Sequence, residues 1–421
     1  GDHLTATLDA VLMVARSLGG ALNGRGLVTV LLGRFCPRHA GQRHQCRQRC
    51  QLLGAQCTES DEAGDPVAAW LDGVIHPETL EDVPFDFHER QAALRAIAGG
   101  DARLSGADLL VCSHPTLLCA LLAQAAPAPV FAHASSTLLY GLACPEAASA
   151  VGSTLRLCGG SAARAYLSGV RELLLPLGPP RFAFVAEGRF LAEQVRHQVG
   201  VDVPWAPPLA LYVEDAYSGG HRRDVVVFRS RFFMSLMGEM LRSLLREVVS
   251  INGGVVKVRF LGVDNQFDEQ WLTLEQMAGY GAAVLYPNDL HQRTFHEAYR
   301  MGVPLLVPDA LGLYRAQRAA NWGYSSYGGA LAGAPGVPPG GGGPWWNSFN
   351  ASPVEVIEFQ QYADWEQFPH ILRFSSLPDL VSQVLGADTV GISAAMRGFH
   401  EGLVRDVLEV ISAQVLSLFP A

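Results

Sequence analysis

Apolar runs of strand length alternate with stretches of helical periodicity twice along the chain, with a stiff break between the two series. In the first half, Leu8–Leu22 has the apolar spacing of a helix, and Gly24-Arg25-Gly26 ends it before the apolar run Leu27–Leu32. Asp108–Cys112 reads as a buried strand that leads through Ser113-His114-Pro115 into an apolar helix, and Pro129–Ala132 as a further strand ending at His133. Pro204-Trp-Ala-Pro-Pro208 is stiff and extended, which suits an interdomain connection. Beyond it the alternation restarts. Strands are expected at Asp224–Phe228, Val255–Gly262, Ala282–Tyr286 and Pro304–Val307, with helices at Phe233–Val249, Leu272–Gly281 and Thr294–Met301. Strands that alternate with helices predict an α/β chain with parallel sheets covered on both faces.

The divisions that follow are an N-terminal domain over 1–208, a second doubly wound domain over 209–385, and a helical tail over 386–421 containing Ile392–Leu418. Ala330–Pro344 is dominated by Gly, Pro and Ala, cannot pack a core, and reads as a surface loop. A length of 421 residues agrees with about two domains of roughly 200 residues each.

Composition narrows the partners. Hydrophobic content of 49% and charged content of 17% belong to a globular chain with large buried surfaces. A net charge of −9 argues against a nucleic-acid footprint, although a few arginines could still hold a small anion. Leu109–Phe131, the most apolar stretch, carries His114 and is broken by Pro115, Pro127 and Pro129, so no membrane span is expected. Cys36, Cys46, Cys50 and Cys57 lie near His39 and His44, but their spacing matches no paired-ligand pattern, and they read as buried apolar residues rather than a zinc site. No protein-held metal and no tightly bound cofactor is expected. The sequon Asn350-Ala351-Ser352 matters only in a secretory compartment, and the choice between cytoplasm and secretory lumen stays open.

In open parallel sheets, ligands bind beyond the carboxyl ends of the strands. That rule selects Arg229, Ser230 and Arg231 after one strand, Gly262 after the next, and Asn288-Asp289 after a third. Asp289 and Glu297 are eight residues apart, one in a loop and one in the helix it feeds, with Thr294 between them. Gly302 stands where a glycine ends a helix, and Pro304 prevents its continuation. A carboxylate there can accept hydrogen bonds from a ribose diol, and the helix N-terminus favours phosphate. By spacing alone, an ordinary solvated helix start fits these residues as well.

The segment Tyr286–Pro304 resembles the donor-binding region of GT-B glycosyltransferases, in which a carboxylate-bearing loop and helix precede Gly-x-Pro and a strand. Asp289-x7-Glu297 is similar to a Glu-x7-Glu arrangement with one side chain shortened. Thr294-x-x-Glu297 is similar to the end of a His-x-Gly-x-x-Ser-x-x-Glu arrangement, with Asp289 standing where the histidine would be. The resemblance implies two Rossmann-like domains facing across a cleft. It places Glu297 on the donor ribose, Asp289 near the phosphates or the sugar, and Arg229 or Arg231 against the diphosphate. Gly1-Asp2-His3-Leu4-Thr5, followed by Arg25-Gly26 and Val28-Thr29-Val30, is similar to the opening of many such enzymes. On that match the first strand precedes residue 1, and His3 sits at the cleft as the base acting on the acceptor hydroxyl. His114 and His133 end strands on the acceptor side. Phe184–Val199, Tyr299–Pro308 and Tyr362–Phe374 look like parts of uncharacterised protist and animal glycosyltransferase-like proteins.

The function implied is transfer of a sugar from a nucleotide-sugar donor to a hydroxyl acceptor, whether glycan, protein or small molecule, with either stereochemical outcome. A non-catalytic binding or scaffold protein of the same fold, and a nucleotide-sugar epimerase, are the alternatives.

Overall fold

The buried apolar runs do form strands, and every strand pairing among the described residues is parallel. The computed structural model describes residues 2–18, 87–135, 138, 160–228, 230–251, 253–261, 272–287, 290–320 and 360–419. The expected strand at Leu27–Leu32, the four-cysteine cluster, the sequon and the loop at 330–344 lie outside them. The chain divides into two compact units. Unit 1 takes in Gly1–Pro208 and the final Asp406–Ala421, and unit 2 takes in Leu209–Ser325 and Trp346–Arg405. In the closing part of the chain the division falls between Arg405 and Asp406.

Unit 1 begins with α1 (Asp2–Leu18), followed by α2 (Phe87–Gly100) and α3 (Ala102–Ser105). Next come β1 (Leu110–Cys112), α4 (Thr116–Ala125), β2 (Val130–Ala134), α5 (Gly160–Leu174), β3 (Phe182–Ala186) and α6 (Arg189–Val199). Its three described strands run in the order β1-β2-β3. The helix placed at Leu8–Leu22 starts six residues earlier, and Ala6 and Leu8 are both buried; it is described as far as Leu18, and residues 19–22 lie outside the described residues. A disulfide joins Cys112 at the end of β1 to Cys119 in α4, a pairing the sequence reading did not provide for. Pro204-Trp-Ala206 is extended, as a proline-rich run should be, and adds to the sheet. Ala186 donates its N–H to Pro204 O at 2.9 Å, and Ala206 returns one to Ala186 O at 2.9 Å.

Unit 2 contains β4 (His221–Val227), a 3-10 turn (Arg231–Met234), α7 (Leu236–Ile251), β5 (Lys257–Phe260), α8 (Leu274–Ala278) and β6 (Tyr280–Val284). Then follow α9 (Arg293–Met301), β7 (Leu305–Pro308), α10 (Ala310–Ala320), α11 (Asp364–Gln367), β8 (Leu372–Phe374), α12 (Leu377–Gly386) and α13 (Thr389–Leu416). The strand order is β5-β4-β6-β7-β8, that of a doubly wound sheet. The strand β4 begins three residues before the expected Asp224, and β5 two residues after the expected Val255; two further differences have local causes. The helix expected at Phe233–Val249 is split, because the Ser235 hydroxyl donates to Phe232 O at 2.6 Å and accepts the Gly238 N–H at 3.1 Å, capping α7 behind the 3-10 turn. The strand β6 starts at Tyr280, two residues before Ala282, because Tyr280 aligns with His221 at the start of β4.

Two glycines in unit 2 are required by close approach. A Cβ on Gly238 would overlap the Phe232 carbonyl oxygen, so the first turn of α7 touches the 3-10 turn backbone. Gly302 caps α9 with φ 75°, donating its N–H to the carbonyls of Ala298 and Tyr299. A Cβ there would lie 2.7 Å from Ser393 Oγ in α13.

A buried histidine ties the start of unit 2 to its last helix. His400 Nδ1 lies 3.3 Å from Arg300 Nη1, which has hydrogens only to donate, so Nδ1 accepts and Nε2 carries the proton given to Leu209 O at 3.1 Å. Burial, then the positive Arg300, push the His400 pKa down to about 4. The hydrogen bond to Leu209 opposes them, and His296 adds a smaller downward push.

These features carry two expectations. Gly238→Ala should destabilise unit 2 by about 1–3 kcal/mol, the usual cost of overpacking against fixed backbone, and lower the urea midpoint. An unchanged midpoint would mean that the helix start does not rest on the turn. A histidine whose folded pKa is depressed contributes stability that is full above about pH 6.5 and is lost as pH falls toward 4, here about 3 kcal/mol. In His400→Gln the amide can keep both hydrogen bonds without titrating. Between pH 7 and 4.5 its urea midpoint should fall less than that of the wild type, and equal losses would contradict the assignment.

Candidate functional site

In the order β5-β4-β6-β7-β8 the chain leaves β4 toward one side of the sheet and reaches β6 on the other. The segments after β4 and β6 therefore part in opposite directions at the carboxyl edge, the position at which doubly wound sheets hold ligands. An aromatic cluster forms the floor beneath them. The Tyr286 ring, just beyond β6, stacks on Phe232 at 5.3 Å and meets Phe233 at 5.5 Å and Phe374 at 5.7 Å. Phe233 in turn meets Phe260 at the end of β5 at 5.6 Å. Burial raises the pKa of the Tyr286 hydroxyl, which stays neutral and serves packing.

Above that floor, Ser230 is buried and caps the 3-10 turn, its hydroxyl oxygen accepting the Phe232 N–H at 3.2 Å. Arg231 opens the same turn. Thr294 and Glu297 occupy the first turns of α9 three residues apart, the spacing that puts side chains on one helix face. Both are half-buried. Glu297 is not a simple surface charge, because the Tyr212 hydroxyl donates to its Oε1 at 2.6 Å from 85 residues earlier in the chain. Arg229, Gly262 and Asp289 lie outside the described residues. The topology thus brings Ser230, Arg231, Thr294 and Glu297 to one edge of one sheet.

In unit 1, His3 lies in the first turn of α1 and not in a loop preceding a helix. His114 follows β1 and is half-buried. His133 lies inside β2, which continues to Ala134. It is fully buried, and its Nε2 is 2.8 Å from the Ala206 carbonyl, so that nitrogen carries the proton. The ring fastens the proline-rich stretch to the sheet. Ser113 and Glu187, both buried, stand at the carboxyl ends of β1 and β3.

The sequence reading missed a cluster beside α9. Among the described residues, His291, His296 and Asp364 offer ligand atoms within 4.8 Å of one another. Asp364 opens α11, and its Oδ2 lies 2.9 Å from His291 Nδ1 and 3.0 Å from His296 Nε2. The Gln292 N–H donates to the same oxygen at 3.1 Å. Burial alone would raise the Asp364 pKa, but the two histidines outweigh it and hold the carboxyl below its usual range. Burial lowers the basicity of His296, against the opposing pull of Asp364. Sequence separation hid this group, since His291 and Asp364 are 73 residues apart.

Among the described residues no helix is long and apolar enough to cross a membrane. No family model matches the chain, and no curated protein matches it. Solved structures similar to it include the glycotransferase of kitacinnamycin, at 12% identity and TM-score 0.40 over 97% of this chain and 95% of that one. CalG4, the calicheamicin glycosyltransferase, is similar at 13% identity and TM-score 0.42 over 99% and 96%. The spinosyn forosaminyltransferase SpnP is similar at 14% identity and TM-score 0.37 over 98% of each chain. At identities and TM-scores this low, a functional reading rests on the site residues themselves.

Proposed function

We propose that the chain is a nucleotide-sugar-dependent glycosyltransferase of GT-B type whose donor site is the carboxyl edge of the unit 2 sheet. The observation that carries this reading is the Tyr212–Glu297 hydrogen bond at the start of α9. A half-buried carboxylate fixed by a phenol has one oxygen committed, so its orientation is set before a ligand arrives. That is the arrangement suited to accepting hydrogen bonds from a ribose diol. The first turn of α9, Thr294 and the arginines at 229 and 231 together suit a diphosphate, through N–H donors and bidentate guanidinium contacts. In transfer, the bond from the anomeric carbon to the diphosphate breaks, and those donors stabilise the leaving charge. Asp289 is assigned to the sugar or phosphates. The acceptor hydroxyl falls to unit 1, with His3 as the base taking its proton and His114 and His133 on the acceptor side. The donor is a substrate, and the reaction needs no tightly held cofactor.

Calorimetric titration with a panel of nucleoside diphosphates tests the reading, followed by incubation with nucleotide sugars and hydroxyl acceptors. Glu297→Ala should weaken binding of the preferred nucleotide roughly tenfold or more, the value of a hydrogen bond to a charged group at about 1.5–3 kcal/mol. Tyr212→Phe should weaken it less, by removing one of the groups that orient the carboxylate. Unchanged affinity in Glu297→Ala sinks the ribose assignment, and silence toward every nucleotide sinks the transferase reading. Binding without transfer to any acceptor identifies a binding protein built on the same site.

A further inference from the structure

We infer that His291 Nδ1, His296 Nε2 and a carboxylate oxygen of Asp364 form a binding site for a divalent transition-metal ion of the zinc class, independent of any nucleotide. The spacing of the donors is the first argument. Tetrahedral zinc with nitrogen and oxygen ligands at about 2.0–2.1 Å places those ligands about 3.3 Å apart. Here the carboxylate oxygen is 2.9 and 3.0 Å from the two ring nitrogens, and all the ligand atoms lie within 4.8 Å of one another.

Alignment is the second argument. His296 Nε2 is close to Asp364 Oδ2, yet it makes no aligned hydrogen bond among the described residues. A buried ring nitrogen held 3.0 Å from a carboxylate without donating to it is directed at a point beside that oxygen, as a co-ligand is. His291 Nδ1, by contrast, is within hydrogen-bonding geometry of Asp364 Oδ1 at 3.1 Å. In the absence of an ion, that contact accounts for one histidine and leaves the other without an aligned partner. When a metal binds, the ring proton of His291 shifts to its Nε2 and that of His296 to its Nδ1, freeing both facing lone pairs.

The surroundings fit a metal centre. The His296 ring is flanked by Phe295 at 5.2 Å, Phe368 at 5.2 Å and His291 at 5.3 Å, and the positive charge of Arg293 also reaches it. The Gln292 N–H orients the carboxylate from outside, the part that outer hydrogen-bond donors take in metal sites. His296 and Asp364 are 1% and 6% exposed at the side chain, whereas His291 is 20% exposed, which leaves one side for an ion to enter. Two imidazoles and one carboxylate favour zinc, cobalt or iron over magnesium or calcium, which take oxygen ligands. Three protein ligands leave a position for water. The ion would clamp α9 and the residue His291 before it to α11.

Chelator-treated protein titrated with Co2+, with no nucleotide present, provides the test. The wild type should take up an ion whose visible spectrum lacks thiolate charge transfer, and Zn2+ should raise its Tm. His291→Ala, made at the partly exposed position, should lose that ion and that Tm response while keeping its circular dichroism. Asp364→Asn should do the same if it folds. Equal uptake by wild type and His291→Ala, no uptake by either, or a spectrum dominated by thiolate charge transfer would each overturn the proposal. Metal uptake lost in His291→Ala together with silence toward all nucleotides would uphold this site and sink only the transferase reading.

Discussion

The interaction on which unit 2 depends is the burial of the Tyr286 ring among Phe232, Phe233 and Phe374. A parallel sheet leaves its strand ends as irregular backbone, and that backbone holds a ligand only if something fixes it from below. Here one ring beyond β6 contacts the turn that follows β4 and the end of β8, while Phe233 reaches Phe260 at the end of β5. Each of these rings removes a large apolar area from water, on the order of 1.5–3 kcal/mol per side chain, and their mutual geometry sets the loop positions. The polar residues of the site stand on an aromatic floor that has no chemistry of its own.

Among the described residues, three of the buried histidines fall into two arrangements. His133 and His400 each give one ring proton to a backbone carbonyl, from Nε2, and so fasten a segment that has no regular ladder of its own. For His400 burial, and after it the neighbouring guanidinium, makes protonation costly, so the ring serves as a neutral connector at neutral pH. His296 has no carbonyl partner among the described residues and faces an ionised carboxylate instead. The three positions are buried alike, and they differ in whether the ring meets a carbonyl or a carboxylate.

Much of the fold was legible in the sequence because it rests on local signals. The alternation of apolar runs with helical periodicity located β1, β2 and most of unit 2, and Gly302 with Pro304 marked the end of α9. The errors have physical causes. The periodicity of Phe233–Val249 was correct, but the Ser235 cap and the Gly238 contact that divide it depend on a neighbouring turn. The strands β3 and β8 and the helices α5 and α12 went unassigned. The site divides in the same way: Glu297 and Thr294 could be chosen by spacing along one helix. Tyr212, 85 residues from Glu297, and Asp364, 73 residues from His291, could not, since nothing local marks them as partners.

Gly302 changes how the motif around it should be understood. Its left-handed backbone and the approach of Ser393 each exclude a side chain there, and neither reason involves a ligand. Selection for the fold alone is enough to freeze this position. Gly302-Val303-Pro304 would then persist in a descendant that had lost its chemistry as faithfully as in one that kept it. If Glu297 and Tyr212 serve the proposed donor site, the loss of that function among relatives of this chain would be recorded at those two residues, while the glycine remained as a mark of ancestry.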